Sequence, residues 1–216
     1  MTSTPTHDAV SAAVAAAYDA RAATYDESAM HRDLAVEVAA FCALDDVRDV
    51  LDVATGTGLV LRALAAAAPR PLAMTGVDLS PDMLAVARRE VPAVRLVRAD
   101  AVALPLDDRS VDLVTCVTAL HLLPDPAAAL TEWARVLRPG GRVVTATFTG
   151  FGRPAVVRHA FPVHHDRFAT PELLAARAAE AGLRLRRHAA WRHAGGDALL
   201  LGELEVAPVR PSGAAS

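Results

Sequence analysis

Three polar segments, each at the end of an apolar run, carry the residues best suited to bind a ligand. The first covers residues 52–58 and contains Gly56 and Gly58, and the other two contain Asp78 and Asp100. The two glycines would let the backbone pass close to a ligand where a Cβ atom would clash. Asp78 follows Gly58 by 20 positions, a spacing typical of a carboxylate that accepts two ribose hydroxyls.

The spacing argues against two common phosphate-binding loops. A dinucleotide fingerprint needs a third glycine three positions after the second, and Leu61 stands there. A P-loop needs Gly-Lys-Ser/Thr, which does not follow these glycines. Asp100 is placed to accept a hydrogen bond from an adenine amino group. Together the three segments predict an adenosine ligand without a phosphate site, which indicates S-adenosylmethionine; a nicotinamide oxidoreductase is a less favoured alternative.

In their order and spacing, these segments resemble class I S-adenosylmethionine-dependent methyltransferases, especially the small-molecule group around the ubiquinone/menaquinone C-methyltransferases. The likeness extends over residues 18–147, and its matching segments are residues 25–26, 51–58, 76–84, 99–105, 111–114 and 137–141. It implies an α/β, Rossmann-like fold with a seven-stranded, mostly parallel sheet of order 3-2-1-4-5-7-6. The last strand would be antiparallel, and helices would cover both faces.

The resemblance also implies roles for individual residues. Asp52 would organise the methionine amino end, Asp78 would take the ribose, and Asp100 with Ala101 would lie at the adenine amino edge. The remaining expected cofactor contacts are Tyr18, Tyr25, Ala54, Gly56, Gly58, Leu79, Met83 and Val117. In relatives, the segment that holds the two tyrosines folds over the cofactor. Ala54 stands where the family often has glycine, and we expect a negative φ there, which alanine tolerates.

The expected activity is in-line methyl transfer to a small, aromatic or lipophilic metabolite, with general-base help where the acceptor carries a proton. His121, just past the fourth strand, is the best-placed base, because ligands bind at the carboxyl ends of strands in open α/β sheets. The alternative for His121 is a role in capping the next turn or lining the cofactor. The alternative for the protein is one that binds S-adenosylmethionine without methylating, such as a cyclase or a binding partner.

Residues 150–168 are the candidate substrate lid. Phe151, His164 and His165 are its candidate acceptor contacts, although the segment could equally be a surface loop whose phenylalanines seal the core. We expect no metal at His164-His165-Asp166, since adjacent side chains diverge and further ligands are not evident.

Alternating apolar and amphipathic runs predict the elements that position these residues. Strands are expected at residues 47–53, 72–78, 94–99, 111–117 and 142–149, and helices at 10–24, 32–44, 59–68, 80–90, 126–137 and 170–181. Residues 183–190 and 198–206 could form an antiparallel hairpin. We divide the chain into an N-terminal helical cap (1–45), a cofactor-binding methyltransferase domain (46–207) and a flexible tail (208–216).

Composition narrows the class of partner. The 216 residues carry a net charge of -3 and are 53% hydrophobic, and a basic face suited to nucleic acid or an anionic membrane is not indicated. The Asn/Asp-Pro-Pro-aromatic signature that holds a flipped base is also missing after the fourth strand. Cys42 and Cys116 form no disulfide or zinc framework. We expect a cytoplasmic monomer or homodimer without a membrane span, acting on a small molecule.

Overall fold

Strands and helices alternate through most of the chain, as the apolar runs predict. The computed structural model describes residues 5–149 and 161–207. Its strands are β1 (Asp49–Val53), β2 (Ala73–Asp78), β3 (Arg95–Arg98), β4 (Val111–Val117), β5 (Leu137–Phe148), β6 (Leu183–Arg192) and β7 (Ala198–Val206). Its α-helices are α1 (His7–Asp19), α2 (Ala29–Phe41), α3 (Leu59–Ala67), α4 (Pro81–Glu90), α5 (Pro126–Val136) and α6 (Pro171–Glu180). Short 3-10 helices cover Ala22–Glu27, Leu120–Leu122 and His165–Arg167.

The strands form one seven-stranded sheet of order β3-β2-β1-β4-β5-β7-β6. The pairs among β1 to β5 are parallel, and β7 is antiparallel to both β5 and β6. Helical crossovers connect parallel neighbours, whereas the short turn between β6 and β7 can join only antiparallel strands. The fold and strand order expected from the resemblance are therefore confirmed.

Helices cover both faces of the sheet, so that alternate residues of one strand enter different cores. Leu51 on β1 belongs to the core that also contains Trp133 of α5 and Leu174 of α6. Its neighbour Val50 packs on the opposite face with Leu34 of α2, in the core that α3 also joins. Each central strand is thus buried on both faces, which is why it reads as a continuous apolar run.

The largest differences from the sequence-based bounds are at β5 and at the first helix. Strand β5 begins at Leu137, five residues before the predicted start, because Leu137 pairs with Val111 and the register then shifts before Leu113. The predicted helix over residues 10–24 is interrupted: α1 ends at Asp19 and a 3-10 helix follows. The expected tail (208–216) and residues 150–160 of the expected lid lie outside the described residues.

Candidate functional site

The turn after β1 passes through backbone conformations that favour glycine. Gly56 and Gly58 have φ angles of 55° and 83°, in the left-handed region that residues with a side chain rarely adopt. Ala54 also has a positive φ, 55°, so the expectation of a negative φ there is wrong. The Thr55 amide donates to the Val77 carbonyl of β2 at 2.9 Å, which holds the chain close to β2 directly after Ala54.

The Asp78 carboxylate, at the end of β2, ties this turn to the neighbouring strand. Its Oδ2 accepts a hydrogen bond from the Gly56 amide at 2.8 Å, and its Oδ1 accepts one from the Ser80 amide at 2.9 Å. Burial raises the pKa of Asp78, while the two amides oppose that rise. A carboxylate can accept about four hydrogen bonds, so Asp78 keeps acceptor capacity for a ligand hydroxyl.

A cavity with about 670 Å³ of empty space, including open solvent, lies at the carboxyl ends of the central strands. Of the twelve predicted cofactor contacts, nine line it: Tyr18, Tyr25, Ala54, Gly56, Asp78, Leu79, Met83, Ala101 and Val117. Gly58 and Asp100 do not line it. Most of the remaining wall is apolar, including Leu122 and Leu123.

A smaller cavity of about 370 Å³ adjoins the first and shares Tyr25 and Thr118 with it. Asp52 lines the smaller cavity, and its Oδ1 accepts a hydrogen bond from the Thr115 hydroxyl at 2.6 Å. Its Oδ2 is buried without a hydrogen bond of standard geometry to any described residue. Burial raises the pKa of Asp52 to about 6, although the hydroxyls of Thr115 and Thr55 lower it. A buried carboxylate oxygen in this state favours a cationic ligand group.

Helix α1 forms one wall of the larger cavity and is joined to two strand ends. Its cavity-lining residues are Val14, Ala15 and Tyr18. At its first turn, His7 Nε2 lies 2.8 Å from Asp100 Oδ2, at the end of β3. At its last residue, the Asp19 carboxylate accepts a hydrogen bond from the Ser80 hydroxyl, just past β2. Opening this wall therefore requires these polar contacts to break.

The 3-10 helix that follows α1 is held to the glycine turn in the same way. Its Asp26 carboxylate accepts hydrogen bonds from the Thr57 hydroxyl and from the Arg62 guanidinium of α3. Tyr25, the preceding residue, is half-buried and lines both cavities, and desolvation raises the pKa of its hydroxyl. The N-terminal elements thus contact the ends of β1, β2 and β3.

The sequence of this strand-end region matches a known family. Residues 51–145 match the family model described as a methyltransferase domain. A demethylmenaquinone methyltransferase of Thermus thermophilus is 44% identical over 103 residues, which is 46% of this chain and 46% of that protein. One of Clavibacter sepedonicus is 42% identical over 112 residues, which is 50% of this chain and 44% of that protein. The matches span less than half the length of these relatives and confirm the resemblance.

Solved structures share this fold. A Haloferax volcanii methyltransferase, solved in complex with the Trm112 methyltransferase activator, superposes with a TM-score of 0.75 at 22% identity, covering 88% of this chain and 97% of its own. The cyclase SpnF superposes with a TM-score of 0.65 at 19% identity, covering 82% and 81%. At these identities the likeness shows the fold alone. No helix in the described part of the chain is long and apolar enough to cross a membrane.

The two cavities fit S-adenosylmethionine, the cofactor that the comparisons support. Asp78 borders the larger cavity with spare acceptor capacity for a ribose, and the buried Asp52 Oδ2 in the smaller cavity matches an ammonium group. Asp100 fits its predicted role less directly, because its oxygens accept from the Val102 amide and interact with His7. The residues on either side of it, Ala99 and Ala101, do line the larger cavity.

The predicted general base and two predicted acceptor contacts come together beyond β4. The His121 ring stacks on the His165 ring with centroids 4.2 Å apart and meets Phe148 edge-on at 5.5 Å. The His164 amide donates to the His121 carbonyl at 2.7 Å. His121 is 3% exposed and lines neither described cavity, although Leu122 lines the larger one. The roles of these histidines stay predictions, and Phe151 lies outside the described residues.

Among the residues of the smaller cavity that sequence reasoning missed are Thr118 and His31. Thr118 follows β4 with a φ of 55° and lines both cavities. His31, in the first turn of α2, lines the smaller one. Nothing in the sequence marks Thr118, because a positive φ at a threonine has no local signature. His31 could have been found only from the packing of α2, which brings its first turn beside β1.

Proposed function

We propose that this chain transfers a methyl group from S-adenosylmethionine to a small lipophilic acceptor. The observation that carries the proposal is the buried Asp52 Oδ2 in a cavity next to the one that Asp78 borders. The pair offers one carboxylate to an ammonium and another to a ribose, and the glycine turn lacks both phosphate-binding patterns. The match of residues 51–145 to a methyltransferase domain supports the same conclusion.

The residues of the chain would act by positioning and by excluding water. When bound, S-adenosylmethionine supplies an electrophilic methyl group for in-line attack by the acceptor. Asp52 orients the amino end and Asp78 fixes the ribose, so that the methyl group has one direction of approach. The larger cavity is walled by apolar side chains, including Leu122 and Leu123, which would keep water from the reacting atoms.

The acceptor we propose is an aromatic, quinol-like ring. The larger cavity has a mainly apolar wall, which suits a lipophilic ring better than a charged metabolite. The curated relatives at 42–44% identity are demethylmenaquinone methyltransferases, which supports a naphthoquinol as the first acceptor to test. His121 is our candidate to take the proton that such an acceptor loses, with the N-terminal segment (1–45) covering the cofactor.

The test has a binding arm and a transfer arm. Titration calorimetry should show that S-adenosylhomocysteine binds more tightly than NADH, and Asp52→Asn should weaken that binding at least tenfold. Asp46→Asn, at an exposed loop position, is the matched control and should bind like the wild type. Labelled S-adenosylmethionine with a demethylated naphthoquinol should then give labelled product. Binding of the cofactor without label transfer to any small lipophilic acceptor would leave a non-methylating protein instead.

A further inference from the structure

The smaller cavity contains one acidic and one basic side chain. Its ionisable lining residues besides Tyr25 are Asp52 and His31, and neither described cavity is lined by a lysine, an arginine or another histidine. The amino-acid end of S-adenosylmethionine is a zwitterion, with an ammonium and a carboxylate on the same carbon. A site that recognises both charges needs an acceptor for the first and a donor for the second.

The fold holds His31 at this cavity in two ways. Its amide donates to the hydroxyl of Ser28, the N-cap of α2, at 3.4 Å, which fixes His31 in the first helical turn. Its ring stacks on Tyr25 with centroids 4.5 Å apart and planes 18° apart. Leu34, three positions further along α2, is fully buried and lines the same cavity. This face of α2 is therefore directed toward the cavity.

We propose that His31 binds the carboxylate of the methionine moiety of S-adenosylmethionine, while Asp52 binds its ammonium. This inference rests on the proposed function, since it concerns the same cofactor. A histidine ring donates a hydrogen bond in its neutral and in its protonated state, so the role does not depend on the charge of the free protein. The two residues together make the site selective for an intact amino acid over an adenosine thioether that lacks it.

Two nearby arginines are the competing cations, and the structure places both away from the cavity lining. Arg21 is exposed, with its guanidinium carbon 5.3 Å from the Tyr18 ring centroid and 5.7 Å from that of Tyr25. Arg62 forms ion pairs with Asp26 and with Glu90. Since the Arg21 guanidinium lies against the tyrosines that line the site, Arg21 provides the matched control.

The experiment compares three ligands by titration calorimetry on the full chain. S-Adenosylhomocysteine carries both charges, its decarboxylated analogue keeps the ammonium alone, and 5′-methylthioadenosine has neither. His31→Leu should weaken the binding of S-adenosylhomocysteine about tenfold or more, and it should change the affinity for the other two ligands less than about twofold. His31→Arg should recover part of the loss, and Arg21→Gln should bind all three ligands like the wild type. Thermal unfolding of each variant checks that it is folded.

Each outcome decides the proposal. Unchanged S-adenosylhomocysteine affinity in His31→Leu overturns it, as does an equal loss for all three ligands, which would mean that His31 only supports Tyr25. A selective loss in Arg21→Gln instead of His31→Leu would assign the carboxylate to Arg21. Wild-type protein that binds none of the three ligands would refute the proposed function itself, which is a different result from a wild type that binds and a variant that is unaffected.

Discussion

Backbone strain is concentrated at the site. The described chain contains three non-glycine residues with a positive φ, and two of them, Ala54 and Thr118, line the cavities. Such conformations cost on the order of 1–3 kcal/mol each and persist where the surroundings impose them. At Ala54 the constraint comes from both sides: Asp52 is bonded to Thr115 of β4, while the Thr55 amide is bonded to β2. The strained turn therefore belongs to the geometry of the cavity.

Replacing Ala54 by glycine should relieve this strain. Glycine adopts a φ of 55° without the Cβ penalty, and its greater entropy in the unfolded chain offsets part of the gain. We expect Ala54→Gly to raise the free energy of unfolding by about 0.5–1 kcal/mol, measured by urea denaturation. Ala99→Gly is the control, because Ala99 lines the same cavity without a positive φ, and it should lower stability. A loss of stability in both variants would contradict this explanation.

The buried carboxylate of Asp52 should make stability and ligand binding depend on pH in opposite directions. Its pKa is raised to about 6 from an ordinary value of 3.8, so the folded state holds the proton more tightly than the unfolded chain. The resulting stabilisation is complete below about pH 4 and is lost as the pH rises through 6, on the order of 3 kcal/mol in all. A ligand ammonium favours the ionised form, so affinity should rise over the same range.

Calorimetry with S-adenosylhomocysteine between pH 5 and 7.5 measures the binding effect. Below pH 6 the wild-type affinity should fall by up to about tenfold per pH unit. Asp52→Asn should bind S-adenosylhomocysteine weakly and without this dependence on pH. Because both proteins have the same histidines, the difference between their pH profiles reports the titration of Asp52. An equally steep pH profile in Asp52→Asn would assign the titration to another group.

Helix α1 walls the larger cavity with three residues, so its opening should release a ligand bound there. The contact between His7 and Asp100 holds the first turn of α1 in place, and both side chains are partly exposed. Such a pair contributes up to about 1 kcal/mol, so His7→Ala should speed the dissociation of S-adenosylhomocysteine about two- to fivefold, measured by ligand displacement. His193→Ala removes a comparable pair with Asp33 outside the cavities and should leave the rate unchanged. Equal rates in all three proteins would mean that α1 does not limit release.

Elements with a strong apolar period were predictable, and those set by tertiary contacts were not. β4 and β7 have the predicted bounds because each is an apolar run between polar turns. The early start of β5 was missed because it depends on pairing between Leu137 and Val111, which no local pattern encodes. The same holds at the site: the Asp78 contact with the glycine turn follows from spacing, whereas His31 reaches the cavity only through the packing of α2.

The β6–β7 hairpin is joined to α2 by an ion pair between a buried carboxylate, Glu203, and an exposed guanidinium, Arg187. Glu203 on β7 is 1% exposed and accepts hydrogen bonds from Arg187 Nε at 3.1 Å and Nη2 at 2.7 Å. Arg187 also donates to the Phe41 carbonyl at the end of α2, and its guanidinium carbon lies 4.2 Å from the centroid of the Phe41 ring. One side chain thus joins the sheet edge to the helix that carries His31.

Removing one partner of this pair should cost more than removing both. In Arg187→Ala, the buried Glu203 carboxylate keeps only Arg186, at 3.5 Å, as an ion-pair partner among the described residues. We expect this substitution to lower the free energy of unfolding by about 2 kcal/mol. The loss should be smaller than for a fully buried pair because Arg187 is partly exposed. Adding Glu203→Leu to that variant should recover part of the loss in urea denaturation. Arg177→Ala, from an exposed pair with Glu180, should change stability by less than about 0.5 kcal/mol. If the double variant were less stable than Arg187→Ala, the Glu203 carboxylate would stabilise the fold through contacts other than the one with Arg187.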